Sequence, residues 1–228
     1  MVNSKNAFWQ ALVFTLIIFL FGFAFGFFIE QGRTETLELE IINSEINTFD
    51  EQLRNRIGEK FDINCEESIE STFRFADRIY LEAQKLEKYD SSNKFKDTLK
   101  ILHKKYDLLR LLLWTESIEL KEKCNNSFHT VVYFFEYDTK SIVVKSKQTF
   151  YSRILIDIKE KYPQKVLLIP IASNLELESV NLSLKPFDIK SSPTILIDEK
   201  KLVDNIVTFE EIEKFILENT PSEKIKLN

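Results

Sequence analysis

Glycine, proline, histidine and cysteine are all scarce in this chain of 228 residues, and each scarcity excludes something. Four Gly and five Pro exclude collagen-like and low-complexity repeats. The two histidines, His103 and His129, are not spaced with a cysteine as metal ligands are. No phosphate-binding loop, Ser/His/Asp set or paired-carboxylate motif stands out. The sequence therefore predicts no metal, no cofactor and no catalytic residue.

Charge and hydrophobicity narrow the class further. A net charge of −5 and a pI near 5.3 provide no basic surface, so we expect no nucleic-acid partner. Hydrophobic residues make up 44% of the chain and aromatic residues 13%, which is enough to build a core. The chain is predicted to be folded.

The longest uncharged run spans residues 6–29, between Lys5 and Glu30. As a helix it reaches roughly 36 Å at about 1.5 Å per residue, enough for a hydrocarbon core of about 30 Å. A secretory signal peptide is the alternative interpretation. Its apolar region is only about 7–15 residues long, and small residues precede its cleavage site, where this chain has Phe27, Phe28 and Ile29. We therefore predict an uncleaved signal-anchor, with the membrane as partner.

The orientation follows from the flanking charges. Lys5 precedes the run, whereas acidic residues dominate after it, and basic residues tend to stay on the cytoplasmic side. We expect a single-pass protein of the cell membrane with its C-terminal bulk extracytoplasmic. Two possible glycosylation triplets, beginning at Asn125 and Asn181, are compatible with that orientation.

A helical stripe follows the anchor and ends near Gly58. Its apolar side chains are spaced three or four residues apart: Ile42, Ile46, Phe49, Leu53 and Ile57. Because it spans barely two heptads, packing within the chain is favoured over a coiled coil. The sequence leaves open whether this helix continues the anchor or is hinged from it at residues 31–32.

Two further helices are predicted on either side of a polar turn at residues 90–93. The stripe of the second comprises Ile69, Phe73, Ala76, Ile79, Ala83 and Leu86. The stripe of the third comprises Phe95, Leu99, Leu102, Tyr106, Leu109 and Leu113. A turn this short requires the two helices to pack antiparallel, because one shared seam then buries both stripes.

The two cysteines fall at the open end of this hairpin. Cys65 begins the second helix and Cys124 follows the third. This arrangement can bring their Cα atoms within the ~4.4–6.8 Å that a disulfide requires. The alternative is a pair of free thiols in a reducing cytosol, and the orientation of the chain decides between the two.

After Ser127 the pattern changes to short apolar strands alternating with helices. Strands are predicted at residues 129–135, 165–171 and 194–198, with a hairpin partner near 201–207. The first intervening helix has Phe150, Ile154, Ile158 and Tyr162 on its buried face, and the last runs over residues 209–218 behind a Thr208/Glu211 capping box. The predicted order is βαβαββα.

Residues 184–198, Leu-Lys-Pro-Phe-Asp-Ile-Lys-Ser-Ser-Pro-Thr-Ile-Leu-Ile-Asp, resemble a segment of thioredoxin-fold proteins. In those proteins a helix, a loop ending in X-Pro-Thr and a central strand follow one another. The resemblance implies a cis peptide bond before Pro193 and an α/β fold: a transmembrane helix, a helical hairpin and a thioredoxin-like domain. The whole layout is similar to that of membrane-bound thioredoxin-like proteins of archaea.

The implied domain boundaries are a cytoplasmic tip and anchor at 1–30, a helical region at 31–126, a thioredoxin-like domain at 127–220 and a tail at 221–228.

Catalytic thioredoxins carry Cys-X-X-Cys after the first core strand, where a helix N-terminus activates the thiol. Residues 136–148 contain no cysteine. With Gln148 aligned to the glutamine that often follows the motif, Ile142 and Lys145 replace the two sulfurs, which excludes dithiol chemistry there.

The resemblance implies that the polypeptide-binding surface of the fold remains although the catalytic cysteines are absent. We expect Tyr137, Asp138, Ser192 and Pro193 to line a face that pairs with an envelope protein or an extended polypeptide. Pro193 serves equally well as a residue that only shapes the fold. The alternatives are a thiol-disulfide oxidoreductase that uses Cys65 and Cys124, and a structural or oligomerising envelope protein.

Overall fold

The computed structural model describes residues 4–60, 64–87, 96–125 and 127–218. The chain divides into two compact units, residues 1–52 and residues 53–228. The polar turn predicted at 90–93 and the tail predicted at 221–228 lie outside the described residues.

Helix α1 spans Ser4–Lys60, and its first part is the apolar run. Phe8–Phe27 has a mean hydropathy of 2.2 and is long enough to cross a membrane. Its large apolar side chains are exposed, as lipid-facing side chains are. Within the described residues, one helix is therefore long and apolar enough to span a membrane.

The helical stripe after the anchor lies on the same helix as the apolar run. Helix α1 continues through residues 31–32 and past Gly58 to Lys60. The five apolar side chains of the stripe are at least 45% exposed, and its packing within the chain stays a prediction.

The unit of residues 53–228 begins with the predicted hairpin. Helix α2 spans Cys65–Glu87 and helix α3 spans Lys96–Lys123, and the two helices pack together. The stripe of α3 is buried from Leu99 to Leu113. Cys65 and Cys124 form a disulfide with a Cα–Cα distance of 5.7 Å, which confirms the predicted pairing.

A four-stranded mixed sheet follows the hairpin. Its strands are β1 (His129–Phe135), β2 (Val166–Ala172), β3 (Thr194–Ile197) and β4 (Lys201–Val203). The helices between and after them are α4 (Ile142–Lys161), α5 (Glu178–Leu184), a 3₁₀ turn (Lys185–Phe187) and α6 (Phe209–Glu218). The strand order is β2-β1-β3-β4, with β1 and β2 parallel and the other pairs antiparallel.

Both faces of the sheet are covered by helices. One face packs on α4 and α6 through a core that includes Val131, Ile195, Leu155, Ile158 and Ile212. On the other face, α3 contacts β1 and β2, and the Trp114 and Phe134 rings meet edge to face at 5.8 Å. Alternation along β1 thus serves two cores, as expected for an internal strand.

The cap of α6 agrees with the sequence prediction, whereas the buried face of α4 differs from it at one position. In the capping box of α6, the Thr208 amide donates to Glu211 Oε2 at 2.8 Å and the Glu211 amide donates to Thr208 Oγ1 at 3.3 Å, which confirms it. Phe150 is 39% exposed, whereas its neighbour Tyr151 is fully buried. The buried face of α4 was therefore predicted wrongly at this position, because positions 150 and 151 lie four and three residues before Ile154 and both spacings place a residue on its face.

Candidate functional site

The residues predicted to bind a polypeptide lie at one end of the sheet. Because β1 and β2 are parallel and β3 is antiparallel to β1, the ends of the first two strands meet the start of the third. The loop that enters β3 carries Ser192 and Pro193, and the peptide bond between them is cis. The loop that leaves β1 carries Tyr137 and Asp138.

Hydrogen bonds join these loops through Ser173, which follows β2. Its amide donates to the Phe135 carbonyl at 2.8 Å, and its hydroxyl lies 3.1 Å from the same oxygen. The hydroxyls of Ser173 and Ser192 are 2.7 Å apart. Ser192 is thus attached to the end of β1 through a single serine, which brings the loops of all three strands together.

Asn174 fixes the conformation of the β1–α4 loop. The Tyr137 amide donates to Asn174 Oδ1 at 2.7 Å, and Asn174 Nδ2 donates to the Tyr137 carbonyl at 2.8 Å. The Tyr137 ring lies on His103 of α3, with centroids 4.4 Å apart. Asp138 then adopts a positive φ of 48°, a conformation that Asp tolerates better than most residues.

The first turns of α4 border the same loop. Ser141 caps the helix, with its hydroxyl accepting from the Val144 amide at 3.4 Å. The Gln148 side chain accepts from the Glu136 amide at 3.0 Å and donates to the Glu136 carbonyl at 3.2 Å. These contacts hold the N-terminus of α4 beside the loop that contains Tyr137.

The expected residues differ in their availability to a ligand. Asp138 is exposed, Tyr137 and Ser192 are half-buried, and Pro193 is buried. The ring of Pro193 therefore shapes the loop, and only its neighbours offer atoms to solvent. Ile142 and Lys145 are both exposed on α4.

Sequence reasoning missed an apolar feature of this surface. Ile142 is 81% exposed and Val143 79% exposed, in the first turn of α4. Ile206, in the loop before α6, is 73% exposed, and the hydrogen bond from Lys147 Nζ to the Asp204 carbonyl attaches that loop to α4. The detectable signal is that residues 142 and 143 are out of phase with the buried stripe of α4.

The cysteines are not available for exchange chemistry at this surface. Both belong to the disulfide at the open end of the hairpin, and Cys124 is only 6% exposed. The sequence contains no third cysteine. The start of α4 therefore has no thiol, whichever residues align with the catalytic motif. The asparagines of the two possible glycosylation triplets, Asn125 and Asn181, are exposed.

A buried polar cluster occupies the opposite end of β1. Lys121 Nζ lies 2.8 Å from Asp198 Oδ1, 2.9 Å from Glu199 Oε2 and 2.8 Å from Thr130 Oγ1. His129 Nδ1 lies 2.6 Å from Asp198 Oδ2. Asp198 and Glu199, in the turn that follows β3, thereby hold α3 against the sheet.

The cluster is electrostatically matched. Burial disfavours the ionised form of Asp198, but hydrogen bonds from His129 and Lys121 outweigh it and hold the pKa of the carboxyl below its usual value. Glu199 also accepts from Trp114 Nε1 at 2.8 Å. Each carboxylate already accepts hydrogen bonds from donors within the cluster. We therefore interpret the cluster as a structural link between α3 and the sheet. In the described ranges, no set of His, Cys, Asp and Glu is arranged to hold a metal ion.

Comparison with known proteins adds little beyond this geometry. No protein-family model and no curated protein matches the chain. Among solved structures, thioredoxin O2 from Arabidopsis thaliana in its oxidized state matches with a TM-score of 0.33 and 10% sequence identity. The match covers 48% of this chain and 89% of that one.

Proposed function

We propose that the chain is a membrane-tethered, redox-inactive module with a thioredoxin-like domain that binds an extended polypeptide or envelope protein. The observation that carries the proposal is the pair Ile142 and Val143, exposed by 81% and 79% in the first turn of α4. Aliphatic side chains exposed side by side beside a polar loop are a feature of interaction surfaces.

The thioredoxin-like assignment is supported by three features taken together. The elements from β1 to α6 follow in the order βαβαββα, the strand order is β2-β1-β3-β4, and a cis-proline precedes β3. The subgroup we favour is the membrane-bound thioredoxin-like proteins that the sequence resembles.

An extracytoplasmic location is supported by the disulfide. Disulfides persist in oxidising compartments and are rare in the cytosol. The helix Phe8–Phe27 provides the tether, and the charges beside it favour the same orientation.

The mode of binding follows from the loop that enters β3. A polypeptide that lies across Ser192 as an added strand gains main-chain hydrogen bonds there, and its side chains reach the apolar pair on α4. Because the contacts are backbone groups and aliphatic surface, we expect broad selectivity for apolar segments over charged ones. Asp138, the exposed carboxylate of this face, disfavours acidic ligands.

The experiment uses the full chain in detergent micelles and a reduced, carbamidomethylated polypeptide, which is permanently unfolded, cannot exchange disulfides and gains no charge from the alkylation. Binding is measured by fluorescence anisotropy for the wild type and for Ile142→Asp/Val143→Asp. Burial of one aliphatic side chain contributes about 1.5–3 kcal/mol, so we expect the double variant to bind at least ten times more weakly. Circular dichroism checks that both proteins are folded.

The matched control is Leu182→Asp on α5, where the leucine is 52% exposed. This variant should bind as the wild type does. Equal losses in the control and the double variant indicate non-specific hydrophobic adsorption, and an unaltered double variant removes α4 from the site. Either result contradicts the proposal.

A further inference from the structure

Two adjoining cavities follow the outer edge of strand β2, between α2 and α4. Their volumes are about 480 Å³ and 250 Å³. They share five lining residues, namely Tyr80, Arg110, Ile156, Leu168 and Pro170. The larger volume lies within the range of ~300–1,000 Å³ typical of ligand sites. Together they form one cleft, which we call the β2 cleft.

Strand β2 is an edge strand, so half of its backbone groups point away from β1 and towards this side. The His129 amide donates to the Lys165 carbonyl, and the Ser173 amide donates to the Phe135 carbonyl. In a parallel ladder this pattern assigns the odd-numbered residues of β2 to β1. The even-numbered residues, 166, 168, 170 and 172, therefore point outward.

The chain satisfies three of these outward groups itself. The Val166 amide donates to the Tyr162 carbonyl at 3.0 Å, and Lys159 Nζ donates to the Val166 carbonyl at 3.1 Å. At the other end, the Ala172 amide donates to Asp107 Oδ2 at 3.1 Å. Pro170 has no amide hydrogen to satisfy. Natural edge strands are commonly closed by charged side chains and prolines in this way.

Leu168 differs from the other three outward residues, because neither its amide nor its carbonyl is satisfied by the described residues. Its outward amide and carbonyl form no hydrogen bond within the described part of the chain, and the residue lines both cavities. One donor and one acceptor on the same extended residue are complementary to the amide and carbonyl of a second strand. The cleft therefore offers the hydrogen-bonding pattern of a single strand position.

The walls of the β2 cleft define the rest of the ligand. Tyr80 and Ile156, on opposite helices, present large apolar surface that is half exposed. The cations already have partners, because Arg110 pairs with Asp107 at 2.9 Å and Lys159 donates to main-chain carbonyls, whereas the carboxylates of Asp77 and Glu160 line the smaller cavity. An acidic ligand therefore gains no ion pair there, and an apolar segment without acidic side chains fits best.

We propose that the β2 cleft is a second peptide-binding site, which takes a short apolar segment without acidic side chains in extended conformation and pairs it with the backbone of Leu168. The larger cavity borders the first face at Tyr137, but neither Ser192 nor the apolar pair on α4 lines either cavity, so the site does not depend on that pair. Both arms of the hairpin, α2 and α3, contribute to its walls, so it exists only when the hairpin is docked beside the sheet.

Leu168→Pro tests the pairing directly. Proline already occupies the next outward position of the same strand, so the change removes the free amide hydrogen and leaves the ladder to β1 intact. Leu168→Ala is the matched control, because it shortens the side chain and keeps the amide. The probe is a library of fluorescent, acetylated pentapeptide amides with valine at the flanking positions and a varied central residue, titrated against the full chain in micelles.

We expect the best library peptides to bind the wild type and to bind Leu168→Pro at least ten times more weakly, with Leu168→Ala within threefold of the wild type. Amide hydrogen exchange at Leu168 should slow at least tenfold when peptide is bound. The proposal is overturned by the absence of any binding peptide, by equal affinity of the proline variant, or by unaltered exchange at Leu168. Ile142→Asp/Val143→Asp should leave this binding unaltered, which separates the cleft from the face on α4.

Discussion

Removal of the Lys121 amine is the perturbation whose outcome follows most directly from the structure. Lys121→Met keeps most of the side-chain volume and deletes the cation that lies 2.8 Å from Asp198 and 2.9 Å from Glu199. The Lys121 and Asp198 side chains are less than a tenth exposed, so water cannot replace the lost contact. The variant leaves two neighbouring carboxylates with one cationic partner fewer.

The magnitude follows from the burial of the cluster. Breaking a buried ion pair by removing one partner costs about 3–5 kcal/mol, because the remaining charge stays desolvated. For a folded unit of about 150–250 residues, each kcal/mol lowers the melting temperature by about 2–4 °C. We therefore expect the melting temperature of Lys121→Met to fall by roughly 10 °C.

The assay is thermal unfolding followed by circular dichroism in detergent. Lys214→Met is the control, because its amine is 74% exposed and lies 3.7 Å from Glu218, and exposed pairs contribute about 0–1 kcal/mol. Adding Asp198→Asn to Lys121→Met should recover part of the loss, since one uncompensated charge is removed. A fall of less than 2 °C in Lys121→Met, or equal falls in the two lysine variants, would refute the reasoning.

Three further predictions concern stability. The double variant Cys65→Ser/Cys124→Ser should lose about 4 kcal/mol of its free energy of unfolding, because the disulfide joins residues 59 positions apart. Reduction of the wild type should lower its stability equally in the same melting assay. The lowered pKa of Asp198 stabilises the fold above the unfolded-state pKa of about 4, and that contribution disappears as the pH falls through the folded-state pKa. Asp198→Asn should therefore flatten the acid limb of a stability–pH curve, and a parallel limb contradicts this. Thr208→Ala should cost about 1 kcal/mol in urea unfolding by removing the cap of α6, whereas no change would mean that the cap contributes nothing.

The helices and the hairpin could be predicted because they depend on residues that are close in sequence. The stripe of α3 fixed both the helix and its buried face, and the predicted hairpin placed Cys65 near Cys124. The capping box predicted the start of α6 because both partners lie within one turn. In each case the deciding contacts are either close in sequence or constrained by a short connection.

Contacts between distant segments could not be predicted. Lys121 and Asp198 are 77 positions apart, and each belongs to a residue type that is normally exposed. The β2 cleft likewise depends on where α2 and α4 lie beside an edge strand.

The central claim is that this chain binds unfolded polypeptide without thiol chemistry. The most direct measurement is the affinity of Cys65→Ser/Cys124→Ser for the carbamidomethylated polypeptide, at a temperature well below the melting point of that variant. We expect the dissociation constant of this variant to lie within twofold of the wild-type value. Binding that disappears with the cysteines, or that is absent from both proteins, would contradict it.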